Sequence, residues 1–153
     1  MLIAAIEDNK NAKGTIAMAF IDLTNAFGLV DREFLFQTME EMRYPPDVIE
    51  MLRNMYAGAQ IKVGTAYGWT DNIRMDRGLH QGCPLSPLLF TIVMETLIQR
   101  LRETGQGYRF SAANHTMAGA AFIDDQVIPT NSGEALQTQL RALESWEKWS
   151  RSK

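Results

Sequence analysis

The stretch Ala118-Gly119-Ala120-Ala121-Phe122-Ile123-Asp124-Asp125 ends a small, apolar run on two adjacent carboxylates, and apolar residues resume at Val127-Ile128. Carboxylates side by side at the end of strand-like sequence repel each other and resist burial. A divalent cation held by oxygen ligands is the usual compensation. Asp22 closes a second apolar run, Ile16-Ala17-Met18-Ala19-Phe20-Ile21. Taken singly, each signal is weak. A strand-end aspartate is more often a turn or capping residue, and an Asp-Asp turn is more often a solvated loop. Apolar flanks on both sides bring the metal and loop readings near even.

The composition narrows the class. A chain of 153 residues fits one domain with a real core. Hydrophobic content of 46% beside 22% charged residues reads as globular, not disordered. Cys83 is the single cysteine, which excludes an internal disulfide and a cysteine-rich zinc site and fits a reducing, intracellular compartment. No apolar run approaches the roughly 20 residues of a membrane span, so no membrane partner is expected. A formal net charge of −3 argues against an autonomous nucleic-acid binder.

The periodicity is mixed, and the expected class is α+β: an antiparallel sheet packed on one face by helices. A short helix over 2–7 leads into a polar stretch over 8–14. Residues 15–23 read as a buried strand, being continuously apolar and too short for a typical helix. Asp31 is placed to cap a helix running to Arg43, and Asp47 to cap a second carrying Val48, Leu52, Met55 and Tyr56. Ile61 and Val63 alternate with polar neighbours, and with 69–75 they predict a hairpin. Ser86 is the expected cap of an apolar helix begun by Pro87 and stopped at Gly105. Strands over 108–111, 117–123 and 127–130 precede a final amphipathic helix over 134–149, capped by Asn131 or Ser132.

Three blocks then fall in a specific order. They are Phe20-Ile21-Asp22-Leu23-Thr24-Asn25-Ala26-Phe27, then Gln81-Gly82-Cys83-Pro84-Leu85-Ser86-Pro87-Leu88-Leu89-Phe90, then Phe122-Ile123-Asp124-Asp125. In content, order and spacing they resemble reverse transcriptases of the non-LTR retrotransposon type, with group II intron enzymes as cousins. The resemblance covers nearly the whole chain. It implies the palm fold of an RNA-directed DNA polymerase, with residues 1–153 as one palm fragment.

Carried over residue by residue, the resemblance makes Asp22, Asp124 and Asp125 the catalytic ligands of two magnesium ions, with manganese as a possible substitute. The Leu23 carbonyl would be a backbone ligand. Phe27 would lie beneath the incoming sugar, where its ring disfavours a ribose 2′-hydroxyl. Gln81 and Gly82 would line the nucleotide and template pocket. The implied partners are an RNA template, a DNA primer and a dNTP. Without the resemblance, Phe27 would be an ordinary core aromatic and 81–90 a plain loop and helix start.

Other residues carry the bland reading. His80 and His115 have no companions at metal-ligand spacing, and Cys83 has no adjacent base. Trp146 and Trp149 read as packing residues on a terminal helix, and Arg74 and Arg77 as solvated. The family commonly has an aspartate where Gly28 stands and often alanine where Ile123 stands. It also favours an aliphatic return strand, where this chain has Gln126 and Pro129. Basic fingers and a helical thumb are expected to be largely absent, so the fragment alone should bind magnesium weakly and extend primers poorly. The alternatives are a catalytically silent relic used for RNA or protein binding, and an RNA-directed RNA polymerase palm. Phe27 and the 81–90 block count against the last.

Overall fold

The computed structural model describes residues 1–111, 113–122 and 125–151. Helix α1 (Leu2–Ala12) leads into strand β1 (Ala17–Asp22), and a short turn of helix, α2 (Ala26–Leu29), into α3 (Arg32–Glu41) and α4 (Pro46–Tyr56). A hairpin of paired short strands follows: β2 (Gln60–Ile61), β3 (Gly64–Thr65), β4 (Gly68–Trp69) and β5 (Ile73–Arg74). The long helix α5 (Ser86–Glu103) then precedes β6 (Tyr108–Arg109), β7 (Thr116–Met117), β8 (Ala120–Phe122) and β9 (Asp125–Thr130), and α6 (Gly133–Arg151) ends the chain. The α+β class is as expected. Among the described residues no helix is long and apolar enough to cross a membrane.

The central sheet has the order β1-β9-β8 and is antiparallel throughout. β9 pairs with β1 along its whole length, from Ala17↔Thr130 to Asp22↔Asp125. Side chains alternate between faces of a strand, so Ile21 shares a face with Gln126, Ile128 and Thr130. That face is covered: Ile128 and Thr130 are fully buried, and α6 contacts both β1 and β9. Phe20, Asp22, Asp125 and Val127 lie on the opposite face, where Phe20 is 73% exposed. β8 reaches only as far as Val127 on β9. Pro129 therefore sits in the central strand but beyond its second partner, where a missing amide donor is tolerated.

The helices explain themselves by their apolar faces and their ends. The Asp31 carboxylate accepts from the Phe34 amide at 2.9 Å, the cap read from sequence. α5 buries Leu89, Phe90, Val93, Leu97 and Leu101 and stops before Gly105, whose φ of 66° suits glycine. Ser132 Oγ accepts from the Ala135 amide at the start of α6. Arg53 on α4 pairs with Glu33 and Glu40 on α3, at 2.6 and 3.3 Å. Both pairs are half-exposed and contribute at most about 1 kcal/mol each.

Four local expectations are corrected. Asp47 does not cap α4; Pro45 holds that position and Asp47 lies in the first turn. Ser86 is already helical, and its buried hydroxyl donates to the His80 carbonyl at 2.6 Å instead of capping. The strand expected over 117–123 changes partner midway. β7 pairs with β6, then β8 pairs with β9. The polar stretch from Asp8 continues α1 to Ala12, and Asp8 reaches from it to distant partners. Its carboxylate accepts from the Tyr108 hydroxyl at 2.9 Å and from the Ser111 amide and hydroxyl at 2.9 and 2.6 Å.

That clamp predicts a pH effect. Burial, and then the hydrogen bond to Asp8, push the Tyr108 phenol up to about 12. An unfolded tyrosine titrates near 10. The folded value is the higher one, so the contribution is fully present below pH ~10 and is lost as pH rises towards 12. Urea unfolding at pH 9, 10 and 11 should show stability falling more steeply for wild type than for Tyr108→Phe; equal slopes would break the link.

Candidate active site

β1 ends on Asp22 and β9 begins on Asp125, and the register sets them directly opposite each other. Opposed residues in an antiparallel ladder lie about 5 Å apart at Cα. Like charges in that arrangement destabilise a sheet. Both carboxylates are exposed, and among the described residues neither meets a hydrogen-bond donor or a cation. Two hard oxygen donors facing each other without a protein counter-charge fit a divalent cation of the magnesium type. Ile123 and Asp124 lie outside the described residues. Among those described, no cluster of three His, Cys, Asp or Glu residues forms a metal site.

Leu23 follows Asp22, with its side chain packed on the core. Phe27 is half-buried on α2, and its ring stacks on Phe90 with centroids 5.0 Å apart. It is thus a packing residue on one side and partly open on the other. Gln81 and Gly82 are exposed, and a Cβ on Gly82 would meet nothing within 4 Å. Neither residue lines the two clefts bordered by Asp22. The structure therefore brings Asp22 and Asp125 together and leaves Gln81 and Gly82 on a neighbouring loop.

That loop is tied to α2 through the backbone. The Leu79 amide donates to the Phe27 carbonyl and the Gly78 amide to the Val30 carbonyl, both at 2.8 Å. Gly78 has a φ of 81°, and a Cβ there would lie 2.7 Å from the Gly28 carbonyl oxygen. Only glycine meets both demands. Gly28 makes room in turn, because a Cβ there would meet the Asn25 side-chain amide at 2.5 Å. An aspartate at position 28 would have to displace Asn25.

Arg32 is the residue that sequence reasoning missed. Its Nε donates to the Gly78 carbonyl at 2.8 Å, and its terminal nitrogens donate to Met75 at 2.8 Å, Arg77 at 3.2 Å and Tyr56 at 3.4 Å. The guanidinium also lies over the Tyr56 ring at 4.7 Å, and Tyr56 stacks with His80 at 5.0 Å. Burial pushes its pKa below the usual arginine value, with Tyr56 and Asp76 opposing. One signal was present. Arg32 opens α3, where a cation opposes the helix dipole and needs another reason to be there.

Gln126 sits behind the carboxylates on the helix-covered face, opposite Ile21. It is 5% exposed, and among the described residues neither end of its amide has a partner. Such an orphan costs about 1–3 kcal/mol.

A family model described as reverse transcriptase (RNA-dependent DNA polymerase) matches residues 2–153. The Pol polyprotein of the R2 retrotransposable element of Nasonia vitripennis is 28% identical over 148 residues, which cover 95% of this chain and 14% of that protein. The R2DM polyprotein of Drosophila melanogaster is 30% identical over 125 residues, 80% of this chain and 11% of the relative. The chain thus spans a small part of these relatives. Among solved structures, apo telomerase from Candida tropicalis truncated from its C-terminal domain matches with a TM-score of 0.71 at 15% identity, covering 97% of this chain and 31% of that one. Telomerase from Candida albicans in complex with a TWJ fragment of telomeric RNA matches at 0.65 and 12%, covering 92% and 26%. At these identities the likeness is one of fold.

The role of Arg32 is measurable. Arg32→Ala should destabilise the chain by about 2 kcal/mol, because it strands carbonyls that accepted charged donors. Arg32→Lys keeps the charge without the planar fork and should recover less than half. Hydrogen exchange should quicken at the Gly78 and Leu79 amides more than along the β1–β9 ladder. Uniform quickening would mean that Arg32 does not anchor this loop in particular.

Proposed function

Because the chain belongs to the reverse transcriptase (RNA-dependent DNA polymerase) family, we propose that it is the palm of an RNA-directed DNA polymerase that joins a dNTP to a primer 3′-hydroxyl opposite an RNA template. The observation that carries this reading is the Asp22↔Asp125 register, which sets two carboxylates, without partners among the described residues, opposite each other at the rim of a family-matched sheet. In the reaction the primer 3′ oxygen bonds to the α-phosphorus of the dNTP, and pyrophosphate leaves.

Asp22, Asp124 and Asp125, with the Leu23 carbonyl, would hold two magnesium or manganese ions. Bound there, such ions favour ionisation of the attacking hydroxyl and neutralise charge on the leaving group. The chain's own residues provide the rest. The β1–β9 ladder fixes the backbone positions from which the two side chains would reach the ions, which would limit the reorganisation needed at reaction. Phe90 backs the Phe27 ring, which would present a firm edge to the incoming sugar. The Gly82 backbone, open to solvent, would allow close approach of the nucleotide or template. Residues 1–153 would form one palm unit, which alone would hold magnesium weakly and extend primers poorly.

Primer extension on an RNA template with magnesium, by the parent protein carrying this segment, tests the reading. Asp22→Asn and Asp125→Asn should each lower the rate by about a hundredfold or more, with the melting temperature unchanged or raised by relief of repulsion. Extension equal to wild type in both variants would end the polymerase assignment. Phe27→Val should admit ribonucleotides by shortening the ring's reach. An unchanged preference for dNTP over rNTP would return Phe27 to a purely packing role.

A further inference from the structure

Residues 60–74 form one hairpin in two pieces, with Gln60↔Arg74 and Ile61↔Ile73 at its base and Gly64↔Trp69 and Thr65↔Gly68 near its tip. Every residue from 60 to 69 is exposed. Tyr67 is fully in solvent and Trp69 is 76% exposed, with Ile61, Val63 and Ile73 beside them. Hydrophobic collapse does not hold this shape; hydrogen bonds do. Thr65 Oγ1 donates to the Gly68 carbonyl and accepts from the Tyr67 amide, at 2.8 and 3.2 Å. The Val63 amide donates to Thr70 Oγ1, and the Thr70 amide to the Val63 carbonyl, both at 3.0 Å.

The indole has a fixed seat. A Cβ on Gly64 would lie 3.3 Å from the Trp69 ring, so the ring rests against the glycine backbone and leaves most of its surface open. Around it the hairpin and its exit carry Lys62, Arg74 and Arg77 against Asp71 and Asp76, a positive balance in a chain of net charge −3. Arg74 is paired with Asp76 at 2.5 Å. The root of the hairpin is also fixed, because Arg32 binds the carbonyls of Met75, Arg77 and Gly78 just before Gln81 and Gly82. A flat, seated indole and a fully exposed phenol beside cations, on an arm leading to the candidate active site, have the chemistry of a single-strand binding surface.

We propose that this hairpin is a stacking platform for unpaired nucleotides, with Tyr67 and Trp69 taking base faces and Lys62 and Arg77 taking phosphates. The identification of that strand as incoming template rests on the polymerase reading; the stacking chemistry does not. Unpaired bases expose the faces that such rings need, whereas a duplex hides them and would call for a longer run of cations.

The test is fluorescence anisotropy of a labelled twelve-nucleotide (a length of about one binding site) single-stranded RNA, with its duplex as comparison, in magnesium-free, low-salt buffer. The 153-residue chain should prefer the single strand. Tyr67→Ala and Trp69→Ala should each weaken binding about tenfold, with thermal melting unchanged because neither ring packs in the core. Lys62→Ala should lower the slope of affinity against salt by about one. No binding by wild type, or equal binding by the variant lacking both rings, overturns the proposal. So does sedimentation that shows a dimer lost with the rings while RNA binding persists, since the occupant would then be a second copy. Two further results separate this proposal from the polymerase reading. Ring-dependent RNA binding with no extension by the parent protein removes the polymerase and keeps the platform. Extension whose KM for template is unmoved by loss of both rings removes the platform and keeps the polymerase.

Discussion

The antiparallel ladder between β1 and β9 sets Asp22 opposite Asp125, an arrangement of like charges that weakens a sheet. Backbone hydrogen bonds fix the two residues at Cα, while their exposed side chains project into solvent. The helix-covered face of the same ladder offsets the cost by burying Ile128 and Thr130, with Ile21 packed on the core. A sheet with one face packed and the other bearing charge is stable only because the two faces do opposite jobs. The Gln126 amide belongs to the packed face and carries its own penalty there.

The second constraint is backbone against backbone. Gly28 and Gly78 meet directly between α2 and the loop over 78–83, and two amide-to-carbonyl bonds stitch the contact. Val30 and Leu79, which make those bonds, bury their side chains in the core. Arg32 adds a polar clamp on the outer side, offering several carbonyl acceptors one planar cation. The consequence for function is geometric: the Leu79 amide bonded to the Phe27 carbonyl holds the segment leading to Gln81 and Gly82 beside Phe27.

Local pattern carried much of the fold. Asp31 was legible as a cap because a side-chain acceptor precedes a helical apolar period, and the 60–74 hairpin was legible from alternation around Gly68. The misreadings share a cause. Asp8 looked like a loop residue because its partners, Tyr108 and Ser111, are about a hundred residues away. Ser86 looked like a cap until its hydroxyl met the His80 carbonyl, and Pro45 took the cap position two residues ahead of Asp47. At the site, the three blocks marked Asp22 and Asp125 by resemblance, but no spacing rule in the sequence could place them in register. Arg32 showed only as a cation against the dipole of α3, and its acceptors were hidden because backbone carbonyls have no sequence identity. Asp124 lies outside the described residues, so its part in the site rests on the resemblance.

The Asp22–Asp125 register also has a price in time. On a ribosome, β1 emerges about a hundred residues before the strand that pairs with it. Until β9 arrives, Met18, Phe20 and Ile21 sit on a strand with both edges unpaired, free to join the same strand of a neighbouring nascent chain. Closing so long a loop is slow relative to forming the helices in between. The helices α3, α4 and α5 all precede β9 in the chain, so their packing on one another does not wait for the carboxylates to meet. A chain interrupted before β9 would hold a partly formed helical core and an exposed strand, but no paired carboxylates.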